Sequence, residues 1–124
     1  MVKSKVIGFV ATKDAAKARD FYEKSLRLKF VYEDEFAVVF DANGTMLRVQ
    51  KVYELHPAQH TVLGWAVDDI HAKIGELTKH GVRFERFEGL AQDERGVWAA
   101  PGGAKVAWFK DPDGNILSLT QFPE

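Results

Sequence analysis

The 124-residue chain is 46% apolar and 12% aromatic, enough to bury a core in one domain of ordinary size. Seventeen Lys and Arg against 18 Asp and Glu leave no basic footprint for nucleic acid or an anionic membrane, so neither partner is expected. The absence of cysteine excludes a disulfide framework, thiol catalysis and thiolate metal sites, and it is compatible with a reducing cytoplasm, the expected location. The opening MVKSKVIGFVATKD holds an apolar run too short to cross a bilayer and meets charges at once, so neither a signal peptide nor a span is expected.

Residues 6–11 read as a buried strand, and Asp14 then caps a helix on which Ala15, Ala18, Phe21, Tyr22 and Leu26 recur at helical spacing. Strands are expected at 29–33, 36–40 and 45–52, the last two joined by Asp41-Ala42-Asn43-Gly44, a strong hairpin signal. After a polar link at 54–60 the order restarts. Residues 62–67 form a strand, Asp69 caps a helix with an apolar stripe of Ile70, Ile74 and Leu77, and Gly81 stops it. Further strands are expected at 82–87, 97–100, 105–109 and 116–121. "VIGFVATKD" echoes "TVLGWAVDD" and "LRLKFVYED" echoes "GVRFERFEG", the mark of a duplicated βαβββ unit.

The end of the chain, "FKDPDGNILSLTQ", joins a tight turn to a strand. Pro112 presets φ, Asp113 tolerates the next position, and Gly114 can take a positive φ. In the strand that follows, Ile116, Ser118 and Thr120 face one way while Leu117, Leu119 and Gln121 face the other. The leucines suit a core, and the hydroxyls suit solvent or a cleft.

"FVATKDAAKARDFYEKSLRLKF", "WAVDDI" and "FKDPDGNILSL" together resemble the vicinal oxygen chelate superfamily, whose members include glyoxalase I, extradiol dioxygenases, methylmalonyl-CoA epimerase, fosfomycin-resistance enzymes and bleomycin-binding resistance proteins. The resemblance covers nearly the whole chain and is more specific for fold than for activity. It implies one α+β domain over residues 1–124. Two paired βαβββ modules, about 5–53 and 61–122, would set their curved mixed sheets around a concave cleft. It also implies a homodimer.

In metal-using members, one ligand comes from the first strand of each module, seven residues before the aspartate that starts the helix. Another comes from each module's last strand. Carried onto this sequence, those positions are Ile7, Val62, Arg48 and Ser118. Ile7 and Val62 cannot bind a metal, Arg48 has no lone pair to offer, and Ser118 is a poor ligand without a carboxylate or imidazole beside it. Slipping the register by one residue brings in no strong donor; only Gln50 and His60 lie near the strand ends. His56 with His60 is the best alternative pair, but Pro57 between them argues against a helix that would align both rings. No metal and no cofactor is therefore expected.

For such a cleft the sequence offers Ile7, Phe9, Ala11, Val38, Arg48, Gln50, Val62, Gly64, Ala66, Ser118 and Thr120. The mixture is mostly apolar with one cation, one amide and two hydroxyls, which suits an organic ligand with one anionic or strongly polar end. Arg48 is the expected anion anchor, bidentate on a carboxylate or phosphate; the bland alternative is an ion pair with Asp or Glu across the sheet or a side chain pointing into water. Trp65 is expected in the core. Trp98 is either core or a stacking wall, on a Gly-rich, charged segment, 87–104, able to act as a flap. Tyr32, Phe36 and Phe40 are equally open between the cleft and a dimer contact, since periodicity does not decide. His71 and His80, at the ends of the second helix, read as solvated or capping groups. No carboxylate or imidazole is clearly aimed into the cleft as a general base, Glu33, Glu35 and Asp93 being the nearest.

Ile7, Phe9, Val38, Arg48, Gln50, Val62, Trp98, Ser118 and Thr120 are thus the expected ligand-binding residues. The expected function is metal-free binding of a small neutral or anionic organic molecule, similar to that of the bleomycin-binding resistance proteins. Arg48 and the near-neutral charge argue against a bulky cationic drug. The alternative is a divalent-metal-dependent lyase, isomerase or dioxygenase with displaced ligands. A scaffold with a vestigial cleft is a third possibility.

Overall fold

A computed structural model describes residues 1–124. The chain divides into two compact units, Met1–Pro57 with Pro112–Asn115, and Ala58–Asp111 with Ile116–Glu124. Each holds one four-stranded mixed sheet and one helical segment.

In the first unit β1 (Ile7–Thr12) leads into α1 (Ala15–Asp20), with the Asp14 carboxylate accepting from the Lys17 amide as the N-cap. The helix widens into a π-helical turn over Phe21–Ser25, where the Leu26 amide donates to the Phe21 carbonyl. β2 (Lys29–Glu33), β3 (Ala37–Ala42) and β4 (Thr45–Lys51) complete the sheet in the order β1-β4-β3-β2, with β1 parallel to β4 and the rest antiparallel. Ala18 and Tyr22 pack on Val10, Val38, Phe40, Leu47 and Val49, all essentially inaccessible, and the Tyr22 and Phe40 rings lie 5.9 Å apart. β3 starts one residue later than expected because the Asp34 carboxylate accepts from the Phe36 and Ala37 amides. That turn leaves Phe36 63% exposed.

The turn at Pro112–Asn115 belongs to this first unit. Gly114 takes φ +88° there, as its place in the turn demands. The Lys13 amide donates to Asp113, and the Asn115 side chain donates to the Ala11 carbonyl, satisfying a backbone acceptor on the edge strand β1.

The second unit repeats the plan: β5 (Thr61–Ala66), α2 (Ile70–Lys79), β6 (Trp98–Ala99), β7 (Lys105–Lys110) and β8 (Ile116–Gln121), in the order β5-β8-β7-β6 with β5 parallel to β8. Asp69 caps α2 by accepting from the Ala72 amide, and the Gln121 side chain accepts from the Ile70 amide. Ile70, Ile74 and Leu77 form the buried stripe of α2. Leu117, Leu119, Ala107 and Phe109 are its buried partners in the sheet, and Trp65 stacks on Phe109 at 6.4 Å.

The strand expected at 82–87 is reduced to a bridge between Phe84 and Phe109 and one bond from the Glu85 amide to the Trp108 carbonyl. The Gln92 side chain substitutes for a neighbouring strand, donating to the carbonyls of Glu85 and Gly96 and accepting from the Phe87 amide. The segment expected to act as a flap is therefore fastened along much of its length. Arg86 donates to the Asp93 and Gln92 carbonyls, and Asp93 accepts from the Arg95 and Val97 amides.

Candidate functional site

Strand register decides which side chains share a face, because laterally paired residues point the same way. In the first unit the face away from α1 carries one row of Phe9, Arg48, Val39 and Tyr32, flanked by Ile7 with Met46 and by Ala11, Gln50 and Ala37. Ile7, Phe9, Arg48 and Gln50 thus share one face of the sheet. Val38 is a correction: it pairs with Val49, stands two residues from Phe40 on the helix-covered face, and is 0% exposed. The residues of β3 on the Arg48 side of the sheet are Ala37 and Val39, both buried.

Arg48 makes no ion pair across the sheet; its Nη1 instead donates to the Tyr32 hydroxyl at 3.1 Å. Tyr32 was legible only as one aromatic among three. The phenol oxygen accepts from Arg48 and keeps its own proton to donate, so guanidinium and hydroxyl form a paired donor edge above Val39. The neighbouring Glu33 is already paired with Lys51 at 2.8 Å. Phe9 is 55% exposed beside Arg48, and Ile7 and Met46 are also exposed. Below this row an open cavity of about 480 Å³ is lined by Ile7, Val31, Val39 and Met46, with Asp41 and Lys5 among its polar members.

The second unit carries its own open face. Ser118 pairs with Gly64 and Trp108, Thr120 with Ala66 and Val106, and Trp98 with Val106, so all of these point away from α2. Trp98 and Trp108 lie 6.1 Å apart at 32°, and Phe87 meets Trp108 edge-on at 5.4 Å. The Trp108 indole donates to Thr61 Oγ1 at 3.2 Å. The structure places Trp98 in this aromatic group. Ser118 is only 7% exposed, and a Cβ built on Gly64 would stand 2.5 Å from its Oγ. Only glycine at 64 leaves the Ser118 hydroxyl its place.

The metal donors that the family pattern would require do not fit this chain. The four positions are held by Ile7, Arg48, Val62 and Ser118, and no group of three or more His, Asp or Glu side chains is clustered to hold an ion. His71 is committed to Asp93 at 2.7 Å, on the first turn of α2. Partial desolvation acts to raise the Asp93 pKa, but the hydrogen bond from His71 and those from the Val97 and Arg95 amides outweigh it and hold the carboxyl below its usual 3.8. At Asp34 the Phe36 and Ala37 amides, in that order, lower the pKa, and the charges of Arg48 and Lys51 act the same way.

The family model described as "Glyoxalase/Bleomycin resistance protein/Dioxygenase superfamily" matches residues 6–119. Among solved structures, the chain is similar to a glyoxalase family protein from Enterococcus faecalis, with 18% identity, TM-score 0.73, and 98% of this chain and 100% of that one covered. It is also similar to a lactoylglutathione lyase from Agrobacterium tumefaciens, at 18% identity and TM-score 0.65, covering 96% and 93%. A third is the fosfomycin resistance protein FosX from Mesorhizobium loti, at 13% identity and TM-score 0.70, covering 99% and 95%. At these identities the likeness concerns the fold. No curated protein matches the chain.

Proposed function

The chain belongs to the glyoxalase/bleomycin resistance protein/dioxygenase superfamily, and we propose that within it this protein binds a small neutral or anionic organic molecule without a metal, Arg48 serving as the anion anchor. The observation that carries this reading is the state of Arg48. It is a half-buried cation on an apolar sheet face, bonded to a neutral phenol and to no carboxylate. A cation in such a place can exchange water for a carboxylate and gain a charge-assisted, bidentate contact. Ile7, Phe9 and Gln50 surround it on the same face. Trp98, Ser118 and Thr120 supply the corresponding apolar and hydroxyl surface of the second unit, and Val62, unpaired at the irregularity in β5, is exposed nearby in the sequence.

The chain's donor set supports binding without a divalent ion, since the family's ligand positions offer two aliphatics, a guanidinium and a buried serine. The cytoplasm is the proposed location, compatible with the lack of cysteine. A homodimer is the proposed assembly, and the exposed Phe36 and Phe122 supply apolar surface for it. Light scattering at low concentration that finds only monomer would remove that part of the reading.

The test is thermal shift of wild type and Arg48→Ala against a panel of small organic acids and the matching alcohols. Organic acids are expected to raise the wild-type melting temperature and to leave Arg48→Ala unmoved. Equal shifts in both proteins would overturn the assignment of Arg48. A parallel measurement offers Zn, Ni, Mn and Fe(II) before desalting. Retention well below one ion per chain is expected, and stoichiometric metal would favour the metal-dependent lyase or dioxygenase class instead, with His56, His60 and Gln50 as the ligands to substitute first.

A further inference from the structure

The Arg48–Tyr32 edge and the cavity of about 480 Å³ share a wall, and from that juxtaposition we infer that the ligand is an amphipathic monocarboxylate, its carboxylate on Arg48 and Tyr32 and its apolar body in the cavity. The inference rests on the reading of Arg48 as an anion anchor and adds a substrate class to it.

Val39 makes the connection. It is the lateral partner of Arg48 on one side and of Tyr32 on the other, and it also lines the cavity. The donor edge therefore spans Val39 at the cavity's margin. Met46 and Ile7 stand two residues along their strands from Arg48 and Phe9, on the same face, roughly 6–7 Å further on. Its volume lies within the range of small-molecule sites, roughly 300–1,000 Å³. Five aliphatic residues, Val6, Ile7, Val31, Val39 and Met46, line it together with Phe40, and all of the five but Val39 are exposed and gain from being covered.

The polar groups set the orientation. Asp41, on β3 two residues beyond Val39, lies in the cavity's lining with one carboxylate oxygen accepting from the Gly44 amide in the turn. A second anion at that end meets Asp41, whereas a carboxylate at the other end meets a guanidinium and a phenolic proton. Lys5 shares the cavity lining with Asp41, and Lys29 is the lateral partner of Asp41 on β2, so that end holds charges of both signs. At Arg48 the geometry offers donors only. Its five N–H groups accept nothing, and Tyr32, having taken one of them, turns donor toward any incoming oxygen.

The experiment is isothermal titration of the full chain with butanoate, hexanoate, octanoate and 1-octanol at neutral pH. Expected are a roughly tenfold tightening from hexanoate to octanoate, the worth of two buried methylenes, and binding of 1-octanol at least tenfold weaker than octanoate. Arg48→Gln is expected to bring octanoate down to the level of octanol. Tyr32→Phe is expected to weaken it about fivefold, the worth of one neutral hydrogen bond. Ile7→Trp, at an exposed position where the indole fills the cavity, is expected to abolish the chain-length dependence. Met46→Trp repeats that test from β4, and the wild-type series needs no variant at all. If acids bind through Arg48 with no dependence on chain length, or if both tryptophan variants bind octanoate like wild type, the inference is overturned while the anchor stands. If no carboxylate binds, both are overturned.

Discussion

Arg48 and Gly64 show how differently single residues declare themselves. An arginine between Met46 and Gln50 on the outward face of β4 was readable from the alternation of "TMLRVQK", because Leu47 and Val49 had to point inward. Its partner Tyr32 was not readable, since the pairing of β2 on β3 contains a shift between Phe30 and Tyr32 that no local pattern encodes. Val38 was misplaced for a related reason. Residues 37–40 are all buried, so the run AVVF offers no polar position to tell one face from the other, and only the register does. Gly64 carries a sharp expectation: Gly64→Ala forces a Cβ against Ser118 Oγ and is expected to cost about 1–2 kcal/mol in urea unfolding. The same change in a Ser118→Ala background is expected to cost little, and a cycle showing simple additivity would contradict the contact.

At the scale of elements, the helices were the most legible parts, because Asp14 and Asp69 announce their starts and both caps are made. Asp69→Ala is expected to destabilise the second unit by about 1 kcal/mol, read as a lower urea midpoint with unchanged slope. The region from 82 to 99 was the least legible. Its alternation of Val82, Phe84 and Glu85 suggested a strand, and the Gln92 side chain takes the bonds a strand would have made. Sequence periodicity carries no signal for a side chain that replaces a ladder.

The Asp93–His71 pair ties that same region to α2, and its sign can be worked through. The folded-state pKa of Asp93 is depressed, so the carboxylate's contribution to stability is fully present above its unfolded value near 3.8. That contribution is lost as pH falls through the lower folded value. Asp93→Asn is therefore expected to reduce stability at neutral pH and to flatten the fall in melting temperature below about pH 4. An unchanged acid limb in the variant would show that other groups dominate.

For the molecule as a whole, the duplication was visible as two echoes of nine residues each, and it reappears as two sheets of identical order, each with its first and last strands parallel. The fold is the α+β glyoxalase-like arrangement of paired βαβββ modules. Activity does not follow from it, since neighbours of this fold include a lactoylglutathione lyase and a fosfomycin resistance protein. At the positions that the resemblance assigns to a metal, this chain carries Ile7, Arg48, Val62 and Ser118. The central claim is that Arg48 holds an organic anion, and it is tested most directly by following the Arg48 side-chain Nε–H resonance in a metal-free sample as hexanoate is added. The signal, assigned by its loss in Arg48→Gln, is expected to shift and saturate. An Arg48 signal that stays put across the whole organic-acid panel, in a protein that takes up one divalent ion per chain, would contradict the claim.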